Sequence, residues 1–187
     1  MEQAGARSEV LRRLFEEYYD AVARYCLRRL SHADAGDAAS RVFVVAWRKV
    51  DEMPDGDGIL PWLYGIARYE VNTIRRAARR WDALHMRMGG LAQTYPENTE
   101  SVVVRRSEHE DILAALGSLS KTDREVILLR SYEDLPISQI AVVLGCSSGA
   151  ASKRHTRALK RLRKAAGLPR EGVSVNELRV ASDGGEI

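Results

Sequence analysis

The residues of this chain whose types and spacing could do chemistry are basic, and most of them lie in its C-terminal half. The stretch Leu135–Lys164 contains seven lysines and arginines and no acid: Lys153, Arg154, Arg157, Lys160, Arg161, Arg163 and Lys164. Ala151, Ala158 and Leu162 recur between them at helical spacing, which predicts a helix with one apolar stripe and a basic remainder. Such a surface suits contacts with phosphates and base edges.

A second predicted helix comes immediately before this basic one. Ile137, Ile140, Ala141 and Leu144 recur at intervals of three and four residues, Pro136 suits the first turn, and Gly145 lies where a residue of positive φ would end the helix. A short helix, a turn and a longer basic helix are typical of a helix-turn-helix, whose recognition helix enters the major groove of DNA. The alternative is a helical hairpin with a solvated basic face.

A second basic cluster lies well before the first. It consists of Arg75, Arg76, Arg79 and Arg80, and the sequence between the two clusters is acidic, with Glu97, Glu100, Glu108, Glu110 and Asp111. The isoelectric point is near 9.0, but the net charge is only +3. Position therefore matters more than total charge, and two separated basic faces indicate two contacts on a polyanion.

Several other functions find no support in the sequence. We find no nucleophile–base constellation, no glycine-rich phosphate loop and no metal-ligand spacing, so we predict no enzyme, no cofactor and no small-molecule substrate. Cys26 and Cys146 are expected to be small buried residues rather than redox or zinc groups. The N-terminus lacks a signal-peptide pattern, and the longest apolar run, Val42–Trp47, is too short to cross a bilayer. We therefore expect a cytoplasmic protein without membrane insertion.

The remaining pattern predicts an all-α chain of two small domains. The first, residues 1–81, comprises an amphipathic helix over Ser8–Leu30, a helix capped by Asp34 that contains the block VFVVAW, a Pro/Gly/Asp loop over Asp51–Ile59, and a third helix over about Leu60–Trp81. Phe43 and Trp47, inside the apolar block, are expected in the core.

The second domain is predicted to follow a linker. Residues 82–107 have weak periodicity and are predicted to be a flexible connection. Residues 108–167 contain two further helices, the second capped by Ser120 or Thr122, and then the helix-turn-helix. Residues 168–187 are polar and are predicted to be a mobile tail.

Taken together, these segments resemble the bacterial RNA polymerase sigma factors of the extracytoplasmic-function group. In the first half the resemblance rests on LFEEYYDAVARYCLRRL, DAGDAASRVFVVAWRKVD and ILPWLYGIARYEVNTIRR. In the second half it rests on the stretch from LGSLSKTDREVILL to KRHTRALKRLRK. The ordered pair of segments is more specific than either motif. The resemblance implies that the first domain binds core RNA polymerase and melted minus-10 DNA, and the second binds minus-35 duplex.

The resemblance also implies roles for individual residues. Ser152, Lys153, Thr156 and Arg157 would face base edges at the minus-35 element, while Arg154, Lys160 and Arg161 would contact phosphates. The loop 51–59 would shape a pocket for a minus-10 base near Trp62 and Tyr64, and Arg75, Arg76 and Arg79 would hold the adjoining backbone. Asp37, Arg41 and Arg48 would contact polymerase. The implied partners are core RNA polymerase, promoter DNA and an anti-sigma factor.

Four positions depart from the family pattern. Ser40 and Arg41 replace an amide and an acid, Tyr69 replaces the usual asparagine after IAR, and His155 replaces an apolar residue in the recognition helix. We assign no function to His155. The alternative class is a stand-alone helix-turn-helix repressor or activator with an N-terminal dimerisation domain, which would bind DNA without polymerase.

Overall fold

The computed structural model describes residues 2–87 and 108–167. Within these ranges every regular element is helical, and the two ranges belong to two separate compact units. The all-α prediction and the division into two helical domains are therefore confirmed. Most of the predicted linker, residues 88–107, and the predicted tail, residues 168–187, lie outside the described residues.

The first unit consists of three long helices. They are α1 (Glu2–Leu27), α2 (His32–Arg48) and α3 (Ile59–Arg87), and two short 3₁₀ turns, Val50–Glu52 and Gly56–Gly58, lie between α2 and α3. Each helix packs against the other two. Fully buried residues come from all three, namely Val22, Tyr25, Cys26, Ala38, Ala39, Val42, Leu63, Ala67 and Val71. The alanines of α2 leave room for close approach of its neighbours.

The start of α2 corrects one sequence prediction. Ser31, not Asp34, is the cap: its Oγ accepts a hydrogen bond from the Asp34 backbone N–H at 3.2 Å. The same hydroxyl donates to Asp34 Oδ2 at 2.7 Å, so the carboxylate supports the cap from within the first turn. A negative charge there is also favoured by the helix dipole.

Helix α3 is longer than the sequence pattern predicted. It continues past Trp81 to Arg87, so residues 82–87 belong to this helix and not to the linker. The added residues include alanine, leucine, methionine and arginine, which are good helix formers. The rings of Trp81 and His85, one turn apart, lie 5.0 Å from each other and add a local contact.

The second unit is built around its last helix. It contains α4 (Glu108–Ser118), α5 (Lys121–Ser131), α6 (Ile137–Leu144) and α7 (Ser148–Ala165), and the three earlier helices all pack on α7. Its main apolar cluster is formed by Ala115, Leu116, Leu119, Ile127, Ala158 and Leu162. Ser120 caps α5 by accepting from the Asp123 backbone N–H, which decides between the two predicted caps.

The turn between α6 and α7 has the predicted left-handed residue. Gly145 has φ 64° and ψ 43°, and the next N–H, that of Cys146, donates to the Ala141 carbonyl at 3.0 Å. Ser147 then caps α7 by accepting from the Ala150 backbone N–H at 3.2 Å. Cys26 is buried as predicted, but Cys146 is exposed because it lies in this surface turn, so that prediction was wrong.

Candidate nucleic-acid interface

Helix α7 buries its apolar stripe and exposes most of its basic and hydroxyl-bearing side chains. Ala151, Ala158 and Leu162 are buried against the other helices, as predicted. The residues predicted to face base edges are all exposed, namely Ser152, Lys153, Thr156 and Arg157. Arg154 and Lys160 are exposed as well. The Thr156 hydroxyl donates to the Ser152 carbonyl at 3.1 Å, which leaves its oxygen free to accept.

Arg161 differs from its basic neighbours because it has a partner inside the domain. Its Nη1 donates to Oδ2 of Asp123, near the start of α5. The Asp123 side chain is only 9% exposed, whereas that of Arg161 is 63% exposed. The guanidinium therefore compensates a carboxylate that is largely removed from water. The ion pair contributes to the packing of α7 on α5, and the phosphate contact of Arg161 stays a prediction.

His155 lies toward the interior of the second unit. It is half-buried, and its Nε2 is buried without a hydrogen-bond partner among the residues that the structure describes. Burial, and to a smaller extent the positive charge of Arg130, lower the pKa of this imidazole below its ordinary value. The environment of the ring therefore favours its neutral form.

The basic end of α3 contributes fewer free cations than predicted. Arg76, Arg79 and Arg80 are exposed. Arg75 is half-buried, and its Nε and Nη2 donate to the Arg29 carbonyl at 3.1 and 2.7 Å. It thereby satisfies a carbonyl just beyond the end of α1. We therefore replace its predicted DNA contact with a structural role in joining α3 to α1.

Tyr64 is also a core residue. It is 3% exposed, and its ring stacks on that of Tyr25 with centroids 5.0 Å apart and an interplanar angle of 26°. Its spacing to Ala67 and Val71, which are buried on the same stripe, is the sequence signal that could have identified this role. Trp62, only two residues earlier, is half-buried and remains a candidate for contact with a base.

The loop predicted to shape the minus-10 pocket is attached to α1. Arg7 Nη2 donates to both carboxylate oxygens of Asp51, at 2.8 and 2.7 Å. The loop ends at Ile59, where α3 begins, so it leads directly into the turn that carries Trp62. The pair is solvent-exposed and contributes little to stability, but it joins the loop to a second helix.

The face of α2 predicted to bind polymerase contains one residue that the sequence pattern missed. Asp37, Arg41 and Arg48 are exposed and lie on one side of the helix. Val44 lies on the same side and is 51% exposed, although it belongs to the apolar block VFVVAW. Its seven-residue spacing from Asp37 was the available signal. Phe43 is buried, and Trp47 is half-buried.

Neither a membrane span nor a metal site is found in the two described ranges. No helix there is both long and apolar enough to cross a bilayer. No three side chains from histidine, cysteine, aspartate or glutamate are grouped there so that they could hold a metal ion.

Two family models match the two units separately. Sigma-70 region 2 matches residues 14–81, and Sigma-70, region 4 matches residues 109–162. The first range lies within the first unit and the second range within the second unit, in the order expected from the sequence.

Individual proteins resemble the chain over most of its length. The ECF RNA polymerase sigma factor SigD of Mycobacterium tuberculosis is 30% identical over 172 residues, which are 86% of this chain and 78% of SigD. The RNA polymerase sigma factor YlaC of Bacillus subtilis is 29% identical over 153 residues, 81% of this chain and 88% of YlaC.

A solved structure shares the fold. The sigma factor RpoE from Bartonella quintana, crystallised with the anti-sigma factor NepR, has a TM-score of 0.61 at 23% identity and covers 85% of this chain and 98% of its own. The paired family regions and the identity to SigD over most of both chains establish the relationship: the chain belongs to the extracytoplasmic-function (ECF) RNA polymerase sigma factors.

Proposed function

We propose that this sigma factor contacts promoter DNA through the exposed face of α7 and the outer face of α3, and core RNA polymerase through α2. The observation that carries the proposal is the arrangement of α7. Lys153, Arg157 and Lys160 are exposed. Ala151, Ala158 and Leu162 fix the apolar side of the helix in the core. The helix can therefore enter a major groove without leaving its domain.

On the minus-35 duplex, the two kinds of contact come from different residues. Lys153 and Arg157 are one turn apart, and an arginine can donate two hydrogen bonds to guanine O6 and N7. Ser152 and Thr156 add hydroxyls on the adjoining strip of the same exposed side. Arg154 and Lys160 contact phosphates, which fix position without specifying sequence.

On the melted minus-10 element, α3 and the loop before it act together. Trp62 lies in the first turns of α3, close to the 51–59 loop, and Arg76 and Arg79 follow on the same helix. An aromatic ring binds an unstacked base through its face, and neighbouring guanidinium groups bind the strand's phosphates. Tyr64 and Arg75 take no part, because both have partners within the three-helix unit.

The polymerase contact is assigned to one face of α2. Asp37, Arg41, Val44 and Arg48 form a strip with an apolar centre and charged ends. A partly apolar strip with a charged rim has the composition of a protein–protein interface. An anti-sigma protein that inhibits this chain would compete with polymerase for this strip, and competition binding with labelled core polymerase tests that extension.

Transcription in vitro tests the proposal as a whole. Purified chain is combined with core RNA polymerase on a library of random promoter sequences, and the transcribed templates are sequenced. We expect two enriched elements at a fixed separation, with transcription that depends on both proteins. A stand-alone repressor or activator would instead bind its DNA sites without polymerase and would elute from gel filtration unchanged when core polymerase is added.

A further inference from the structure

Helix α3 extends beyond the helices that pack against it. It has 29 residues, whereas α2 has 17. Arg75 already reaches the carbonyl of Arg29, close to the start of α2, so α3 has passed the whole length of α2 by that residue. Residues 76–87, which we call the overhang, therefore continue about 18 Å further along the helix axis. Eight of the ten residues 76–85 are exposed.

An apolar stripe continues along the overhang although neither α1 nor α2 covers it. The stripe, which we call the seam, consists of Ile74, Ala77, Trp81 and Leu84. Intervals of three, four and three residues place these side chains on one side of the helix, as positions a and d are placed in helix–helix contacts. Trp81 and Leu84 are 57% and 50% exposed. The ring of His85, one turn after Trp81, lies 5.0 Å from the indole and supports it. The seam thus has the pattern of a helix-packing surface without a partner helix in its own unit.

The charges beside the seam favour an acidic partner. Residues 74–85 contain one acid, Asp82, and four arginines: Arg75, Arg76, Arg79 and Arg80. Arg80 borders the seam next to Trp81, in the position where paired helices place the charges that select a partner. A second copy of this chain would bring the same arginines to this surface, and like charges would oppose its association. A helix with carboxylates beside its own apolar stripe would instead place one of them against Arg80.

The seam also suits a protein better than a nucleic acid. Leu84, one turn after Trp81, has neither a planar ring to stack on a base nor a charge to bind a phosphate. A helix presents apolar side chains at the same intervals of three and four residues, so it can pack against both side chains at once. Leu84 and His85 moreover lie beyond residue 81, where the match to sigma-70 region 2 ends.

We propose that the seam binds an amphipathic helix of a partner protein, with an acidic residue of that helix beside Arg80. Trp81 is the central contact, because a large ring that becomes buried in a protein interface contributes more than its neighbours do. Leu84 packs beside it, and Ala77 lets the backbone of the partner helix approach closely. The proposed promoter and polymerase contacts use none of the four seam residues, so this surface adds a further kind of contact to them.

The test uses two designed helical peptides as probes for the full chain, without polymerase or DNA. Both peptides have leucine at heptad positions a and d. The acidic peptide has glutamate at positions e and g, and the basic peptide has lysine there. Each peptide is labelled with a fluorophore, kept dilute so that it stays monomeric, and titrated with the chain while anisotropy is measured. We expect the acidic peptide to bind on the order of tenfold more tightly than the basic one.

Substitutions in the seam should change this binding without unfolding the chain. Trp81→Ala should weaken binding of the acidic peptide at least tenfold, and the thermal midpoint should change little because the side chain is already exposed. Tyr69→Ala is the matched control, since Tyr69 is 64% exposed on the same helix but points about 120° away from Trp81. Arg80→Glu should reverse the preference between the two peptides, which a purely structural role would not do. Arg79→Glu makes the same change of charge about 160° away from Trp81 and should leave the preference as it was.

Four results would overturn the proposal. If neither peptide binds the full chain, the seam does not accept a helix. If Tyr69→Ala weakens binding as much as Trp81→Ala, binding does not depend on the seam. If the native chain sediments as a dimer that Trp81→Ala dissociates, a second copy occupies the surface. If single-stranded DNA displaces the acidic peptide from the native chain but not from Arg79→Glu and Arg80→Glu, the surface belongs to nucleic acid.

Discussion

Arg161 on the recognition helix and Asp123 near the start of α5 form an ion pair between residues 38 positions apart in the chain. The adjacent Lys160 has the same charge and is exposed to solvent. Of these two adjacent cations, Arg161 is paired within its domain, whereas Lys160 is exposed to solvent.

Alanine substitution should separate these two roles. Arg161→Ala leaves the Asp123 carboxylate without its cation, and we expect the free energy of unfolding to fall by about 1 kcal/mol. This is the low end of the range for a buried carboxylate that loses its partner, because the arginine is mostly exposed. Lys160→Ala should leave stability unchanged and lower the slope of log affinity against log salt by about one phosphate contact. Urea unfolding measures the stability of both variants, and binding to minus-35 duplex at several salt concentrations measures their phosphate contacts. A stability loss in Lys160→Ala and a reduced salt slope in Arg161→Ala would contradict this division of roles.

Arg157 should control sequence preference more than overall affinity. Its exposed position one turn after Lys153 suits a bidentate contact to guanine, so Arg157→Ala should cost about 1–3 kcal/mol on the selected minus-35 sequence. The loss on scrambled duplex should be smaller. Affinities for both duplexes at one salt concentration check this, and equal losses would make Arg157 a phosphate contact.

The α2 strip should bind polymerase through its apolar centre as well as its charges. Val44→Glu should weaken binding to core polymerase at least tenfold, as expected for a charge introduced into the centre of an interface. Because Val44 is already exposed, the thermal midpoint should change little. Reversing both charges at Asp37 and Arg48 should also weaken binding. Ser40→Ala, beside the strip, serves as control, and unchanged polymerase affinity in both variants would exclude this face.

His155 should make the stability of the second unit depend on pH. Burial lowers the pKa of the folded-state imidazole below the ordinary value of 6.5, so the unfolded chain takes up a proton first as the pH falls. The His155 contribution is therefore fully present above about pH 6.5 and is lost below it, toward the folded-state pKa. His155→Leu should flatten this dependence between pH 7.5 and 5.5 in thermal unfolding. An unaltered pH profile would show that other groups cause it.

The sequence predicted the helices well because their stripes are periodic, and it failed where two similar residues compete for one role. Ser31 and Asp34 are both good caps, and only the extended backbone at Ser31 decides between them. Trp62 and Tyr64 differ by about 200° around α3, so their exposure depends on the phase that three-helix packing imposes. The spacing of Tyr64 to Ala67 and Val71 is the one part of the local pattern that indicates this phase.

Contacts between residues far apart in the chain are the second feature that the sequence pattern does not predict. Nothing near Arg161 in the sequence indicates Asp123, and nothing near Arg75 indicates the Arg29 carbonyl, 46 residues away. Charge alone therefore groups both arginines with their solvated neighbours. Val44 is the opposite case: it lies in an apolar block of the sequence, yet its side chain is exposed.

The serine cap at Ser147, together with the left-handed Gly145, fixes the residue at which α7 begins. Were the helix to start one residue later in the same place, every side chain on it would turn by about 100° and move about 1.5 Å along the axis. The side chain of Arg157 would then point toward the other DNA strand or toward solvent. The promoter sequence that this protein accepts therefore depends on the Ser147 hydroxyl and on Gly145, two groups that need never touch DNA.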